Sequence, residues 1–156
     1  MPIKWDSKLS VGNSYIDTEH KLLIAQINAL EVILRHPEEK DIFKFFIDQL
    51  VEFARDHFYH EEQLQLKHRF PYYEENKQGH QQLMTDLKAM KDIIYCFIEK
   101  ADATQEEATQ ISEQFNLIIR DWLINHIIKS DMKMKGYLDN AIMGTFKQTT
   151  PKPHIG

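Results

Sequence analysis

Apolar positions recur along this chain at alternating intervals of three and four residues, the spacing that places side chains on one face of an α-helix. The first series is Ile16, His20, Leu23, Ile27, Leu30 and Leu34. It follows an irregular N-terminal arm over residues 1–17 and stops before Pro37, which cannot continue a helix. Asp17 or Thr18 is the expected N-cap.

Three further series predict helices over about residues 40–67, about 72–100, and from about residue 104 onward. The second is Ile47, Leu50, Ala54, His57, Glu61 and Leu64. The third is Tyr73, Asn76, His80, Leu83, Leu87, Met90, Ile94 and Phe97. The fourth is Ala108, Ile111, Phe115, Ile118 and Trp122, followed by Asn125 or His126. Thr104 and Glu107 have the spacing of a capping box at its start.

Four amphipathic helices with short connections predict an all-α fold, an up-down-up-down four-helix bundle. The segment DMKMKGYLDNAIM, over residues 131–143, predicts a short C-terminal helix. We expect one domain over residues 1–140 and a C-terminal tail or linker over residues 141–156.

Composition narrows the class of protein. A chain of 156 residues with a net charge of −5 is long enough for one core and has no basic run, so no nucleic-acid partner is expected. The single cysteine excludes an internal disulfide. No apolar run approaches about 18 residues, and the N-terminus does not resemble a signal peptide. A cytoplasmic protein without a membrane span is therefore expected.

Each predicted helix carries residues of metal-ligand type on its apolar face. They are His20 on the first, His57 and Glu61 on the second, His80 on the third and His126 on the fourth, with Asp131 just beyond it. A lone histidine on such a face is usually a packed core residue. Burying a carboxylate together with several imidazoles, however, costs several kcal/mol unless they pair or bind a metal. His57 and Glu61 lie one helical turn apart, so both can reach one centre.

These spacings resemble the hemerythrins, especially the bacterial hemerythrin-like domains. The segments HFYHE (57–61) and HIIKSD (126–131) carry the resemblance, which extends over about residues 1–140. The N-terminal part of the motif is Trp5, Val11, Gly12, Ile16, Asp17, Glu19 and His20. The family fold is a four-helix bundle around a non-heme di-iron centre that binds O2.

The resemblance implies a role for each matching residue. Glu61 and Asp131 would bridge two iron ions that also share an oxo or hydroxo bridge. His20 and His57 would hold the iron with the open position for O2, and His80 and His126 the other. Leu23, Trp122 and Ile127 match positions that line the family's O2 pocket.

The sequence departs from the family at one ligand. The third helix of the family carries H-x-x-x-H, but here the segment is NKQGH, with Asn76 in the first position. Three outcomes are open: the Asn76 amide oxygen ligates weakly, water fills a vacant position, or His60 or His68 substitutes. The loss of this ligand could also mean a degraded site.

An oxygen or redox sensor is the function that this departure favours, with NO as a second ligand. A carrier needs a stable oxy form, whereas a sensor needs only a change of iron state that alters the protein's shape. The expected output is a fused or separate signalling domain, with a cyclic-di-GMP synthase as the leading family example. The domain itself is not expected to be an enzyme.

Three alternatives remain at this stage. The first is a stand-alone O2 carrier or store. The second is a di-iron oxidase or peroxidase, although a His-rich site with few carboxylates favours reversible redox chemistry over substrate oxidation. The third is a structural bundle without metal, whose stability would not change on chelation.

Overall fold

The computed structural model describes residues 2–138, and five α-helices account for most of them. They are α1 (Ser14–Ile33), α2 (Lys40–Lys67), α3 (Tyr73–Glu99), α4 (Gln105–Phe115) and α5 (Asp121–Lys129). A π-helical segment, Asn116–Arg120, joins α4 to α5, so the two form the fourth helix of the bundle. The predicted all-α bundle is confirmed. None of the described helices is both long and apolar enough to cross a membrane.

Three short 3-10 turns complete the described chain. They are Ser7–Leu9 in the arm, Pro37–Glu39 before α2, and Asp131–Met134 after α5. The predicted C-terminal helix over residues 131–143 begins as the last of these turns, and its part beyond residue 138 lies outside the described residues.

The start of α1 differs from the sequence prediction. Asn13 is the N-cap, because its side-chain oxygen accepts the backbone N–H groups of Tyr15 and Ile16. Asp17 and Thr18, the two predicted caps, both lie inside the helix, and Asp17 binds the arm instead. Its carboxylate accepts the hydroxyl of Ser10 at 2.5 Å and the backbone N–H of Val11 at 2.9 Å. The last turn of the arm is therefore held by the helix that follows it.

Two apolar clusters form the core, with a polar layer between them. The larger follows the bundle from Leu23 through Leu50 and Leu87 to Leu123. The smaller consists of Val11, Ile16, Leu64, Phe70, Met134 and Leu138. On α1 and on α2, histidine stands between a residue of one cluster and a residue of the other. Water is excluded from both sides of this layer, so its polar groups must satisfy one another or bind an ion.

The fourth helix changes its inward face at the π-helical segment. The sequence predicted Ile118 on that face, but Ile118 is 41% exposed and Ile119 is 2% exposed. A π turn holds more residues than an α turn, so the inward stripe advances by one residue. Leu123 is consequently buried, and Trp122 is only half-buried.

Arg69 ends α2 in the left-handed region, with φ of 53°. The backbone N–H of Phe70 donates to the carbonyl of Gln65 at 2.9 Å, and that of Arg69 to Leu66 at 3.2 Å. This is a Schellman cap, in which glycine is the usual residue at the position of Arg69. The cap reverses the chain so that α3 returns against α2.

Candidate metal centre

Six buried side chains form two groups that could each hold a metal ion. Glu61, His80, His126 and Asp131 make one group, and His20, His57 and Glu61 make the other. The ligand-type atoms within each group lie within 4.8 Å of one another. Because Glu61 belongs to both groups, the two positions are adjacent. The structure therefore brings together all six residues that the sequence placed on inward faces.

The two carboxylates face both groups at once. Glu61 Oε1 lies 3.1 Å from His20 Nε2 and 3.3 Å from His57 Nε2, while Oε2 lies 3.1 Å from His80 Nε2. The carboxylate of Asp131 is placed in the same way, with Oδ1 3.1 Å from His126 Nε2 and Oδ2 3.4 Å from His20 Nε2. Each carboxylate thus offers one oxygen to each half of the centre.

Most of these atoms converge without hydrogen-bonding one another, apart from His20 Nε2 and Glu61 Oε1, which lie 3.1 Å apart and share a hydrogen bond. The Nε2 atoms of His57, His80 and His126 are buried and have no hydrogen-bond partner, nor do Glu61 Oε2 and Asp131 Oδ2. Adjacent ligands of an octahedral ion with bonds of about 2.1 Å lie about 3.0 Å apart. Contacts of 3.1–3.4 Å that lack hydrogen-bond geometry match that spacing. Imidazole nitrogen and carboxylate oxygen are a donor set that suits iron.

The metal-free centre is strongly charged. Burial alone would lower the pKa of His20, but the neighbouring carboxylates of Asp131 and Glu61 raise it to about 10. Burial also acts against the charge on His80, and Glu61 with Glu62 raises its pKa to about 9. Burial and the neighbouring Glu61 charge raise the pKa of Asp131, yet His126 and His20 outweigh them and lower it to about 2. The carboxylates are therefore ionised, and imidazolium groups balance their charge where metal does not.

Two glutamates outside the ligand groups hold the histidines by their other ring nitrogen. Glu19 Oε2 lies 2.7 Å from His57 Nδ1, and its Oε1 lies 2.6 Å from His60 Nδ1. Glu62 Oε1 lies 2.9 Å from His80 Nδ1. In a neutral ring, a carboxylate that accepts the Nδ1 hydrogen leaves Nε2 free of hydrogen and directed at the centre. These contacts of Glu19 and Glu62 were not predictable from the sequence, because the histidine that each holds lies on another helix.

Asn76 lies at the centre but presents its nitrogen to it. The side chain is 1% exposed, and Nδ2 donates to Asp131 Oδ1 at 3.1 Å. An ionised carboxylate can only accept, so the amide nitrogen must face it and the oxygen must face away. His60, one of the two proposed substitutes, is bound to Glu19 instead. Neither His60 nor His68 belongs to a ligand group among the described residues.

A small apolar cavity lies in the bundle core. Its volume is about 20 Å³, and its wall includes Leu23, Phe58 and Trp122. A space of this size holds about one water-sized molecule. Two of the three predicted O2-pocket residues, Leu23 and Trp122, line it. The third, Ile127, is fully buried in the same core but is not part of the wall.

Comparison with known proteins finds one matching family model and several relatives. The family model described as "Hemerythrin HHE cation binding domain" matches residues 11–138. A "Hemerythrin-like protein" of Naegleria gruberi is 31% identical over 137 residues, covering 88% of this chain and 94% of that protein. A "Myohemerythrin" of Theromyzon tessulatum is 26% identical with the same coverage. A "Bacteriohemerythrin" of Stenotrophomonas maltophilia is 26% identical over 81% of this chain and 75% of its own length.

Proposed function

The chain belongs to the hemerythrin family, whose members bind O2 at a non-heme di-iron centre, and from this premise we propose that it is an oxygen or redox sensor. The observation that carries the proposal is the pair of ligand groups that share Glu61. His20 and His57 would hold one iron, His80 and His126 the other, and Glu61 with Asp131 would bridge them.

The side chains around the centre support reversible ligand binding. Iron at this centre would bind O2 and exchange electrons with it. Glu19 and Glu62 fix the tautomers of His57 and His80, so the imidazoles need not reorient when metal binds. Phe58 stacks on the His80 ring with centroids 4.2 Å apart and keeps water from that side. The apolar cavity beside Leu23 and Trp122 offers O2 a dry approach.

Asn76 favours a sensor over a carrier. With two imidazoles instead of three, the His80–His126 half lacks a strong neutral donor, which alters its redox potential. We expect the oxy form to decay readily to a ferric state, which a carrier must avoid and a sensor can use as its signal. NO is a second ligand that would reach the same iron position.

The signal would pass to an output domain or a separate partner. A cyclic-di-GMP synthase is the output that the family resemblance suggests, and a cytoplasmic setting is the one that the sequence favours. Both stay predictions. In this proposal the bundle senses, and a cyclic-di-GMP synthase would be a separate domain.

The test is metal content followed by exposure to air. Protein purified without oxygen should contain about two irons per chain, and air should produce a new charge-transfer absorption band. Slow decay of that band to a ferric spectrum is expected for the sensor. Full reversal on removing O2 would favour the carrier, and steady turnover of a reductant would favour the oxidase. No iron, and none taken up on reconstitution, would refute the di-iron function.

A further inference from the structure

Gln65 is a buried amide that the metal centre described above does not use. It lies on α2 one turn beyond Glu61 and is 0% exposed. Its Nε2 donates to Met134 Sδ at 3.2 Å, but its Oε1 is buried with no donor among the described residues. An amide oxygen that is buried without a donor destabilises the fold, because it has lost its hydrogen bonds to water. A side chain kept in this state indicates a ligand that supplies the missing hydrogen.

Asn76 is in the same condition on the facing helix. Its oxygen, Oδ1, is also buried and unpaired. His80 lies against Glu61, so moving one turn along each antiparallel helix places Asn76 opposite Gln65. Gln65 and Asn76 therefore lie at one level of the bundle, next to the half of the centre formed by His80 and His126.

One short turn holds both amide nitrogens. Asn76 Nδ2 is bound to Asp131, and Gln65 Nε2 to Met134, the first and last residues of the 3-10 turn Asp131–Met134. Residues three apart in a 3-10 helix lie on the same side of it. With both nitrogens tied to that side, the two oxygens are left as acceptors in a region sealed from solvent.

We propose that Gln65 and Asn76 form a binding site for one small neutral molecule that carries two O–H hydrogens. Water is the occupant in the resting protein, and hydrogen peroxide has the same hydrogen-bonding pattern. Each O–H donates to one amide oxygen. Anions are excluded, because two amide oxygens and the Asp131 carboxylate repel them. The site lies beside the metal position that His80 and His126 would hold, but its two acceptors belong to Gln65 and Asn76 and do not depend on that metal.

Crystal structures of the wild type and of Gln65→Leu, each with and without metal, test this site. Gln63→Leu is the matched control, since Gln63 lies two residues away on α2 and its substitution leaves the site intact. We expect one ordered water within hydrogen-bonding distance of both amide oxygens in the wild type and in Gln63→Leu. The water should be lost in Gln65→Leu. If Gln65→Leu does not fold, Gln65→Met removes the same acceptor with an unbranched side chain.

Other outcomes would overturn the site without touching the di-iron function. Asn76 Oδ1 bound directly to metal, a protein donor on Gln65 Oε1, or a dry region between the two amides would each refute it. A wild-type protein that takes up no iron yet holds the water would refute the di-iron function and leave the amide site standing. In solution, azide should bind in a single equivalent per metal pair, and a second equivalent would contradict the exclusion of anions.

Discussion

Glu61 is a carboxylate with no exposed surface in the middle of the bundle. Isolated in an apolar core, such a charge would be too costly to keep, so its surroundings must neutralise it. Burial would raise the pKa of Glu61, but His57, His20 and His80 hold it well below its usual range. The same three imidazoles can neutralise the carboxylate as cations or ligate metal as neutral rings. Protons and metal therefore compete for the same three imidazoles around Glu61.

Replacing Asn76 with histidine restores the family motif. In Asn76→His we expect the oxy absorption band to persist about tenfold longer or more, because a third imidazole stabilises the His80–His126 half. Stopped-flow decay of the band measures this. Gln78→His is the control, since Gln78 is exposed on the same helix and adds an imidazole away from the centre. An unchanged lifetime in Asn76→His would remove the support that this position lends to the sensor.

Gly79 gives His126 the space it occupies. A Cβ at position 79 would lie 3.0 Å from His126 Cε1 and 3.3 Å from Nδ1. Gly79→Ala should therefore displace the ring and weaken iron binding in that half about 10- to 100-fold, although alanine favours the helix by about 0.5–1 kcal/mol. Metal titration of the apo-protein measures this, with Gln78→Ala as control. Two irons bound at wild-type affinity in Gly79→Ala would contradict the prediction.

At the scale of the element, α2 ends in a strained cap. A non-glycine residue in the left-handed region costs about 1–2 kcal/mol, so Arg69→Gly should raise the free energy of unfolding by roughly 1 kcal/mol. Urea denaturation of the metal-free protein measures it. Lys67→Gly, inside the last turn of the same helix, should destabilise instead. A loss of stability in Arg69→Gly would show that the Arg69 side chain contributes more than its backbone costs.

The π-helical segment accommodates one extra residue within the fourth helix. Leu117 is 69% exposed within it, so deleting Leu117 should convert the segment to regular α-helix and keep His126 directed at the centre. Iron per chain should be retained. Deleting Gln82, exposed on the uninterrupted helix α3, should instead rotate His80 by about 100° relative to the core residues that follow it and abolish binding. Loss of iron on deleting Leu117 would mean that the π turn itself orients the ligands.

At the scale of the molecule, protons and metal compete for one set of imidazoles. The pKa values of His20 and His80 rise from 6.5 to about 10 and about 9 on folding, so their contribution to stability is complete below pH 6.5 and is lost as pH rises through 9 and 10. Asp131 contributes above pH 3.8, and this contribution is lost as pH falls towards 2. The metal-free protein should therefore be most stable between about pH 4 and 6.5.

Bound metal should stabilise the protein most at alkaline pH, where the metal-free protein loses stability. Iron binds neutral imidazole, so its stabilisation grows as the protons leave. Calorimetry of the protein with and without chelator, from pH 5 to 10, should show Tm of the chelated protein falling above pH 6.5 and a widening gap to the loaded protein. Equal Tm values at every pH would mean that no metal binds the folded state.

Much of the architecture was predictable because helical periodicity is local. The inward series on α1 to α3 are buried almost throughout, and the Thr104–Glu107 capping box is present as predicted. The predicted ligands also lay on those faces, so their convergence required only that four helices pack together. The predicted N-cap of α1 was wrong because Asn13 and Asp17 both have side chains that can cap a helix. Asp17 contacts the arm, and Asn13 caps the helix.

Which residues face inward can be predicted from the chain alone, since each helix repeats every 3.6 residues whatever surrounds it. Which polar groups meet across helices depends on how the helices pack. This packing paired Glu19 with His57, turned the Asn76 nitrogen towards Asp131, and left the oxygen of Gln65 without a donor. These contacts join residues far apart in the chain. A difference of a few tenths of an ångström in the donor–acceptor distance decides whether a hydrogen bond forms, and no local pattern in the sequence encodes that distance.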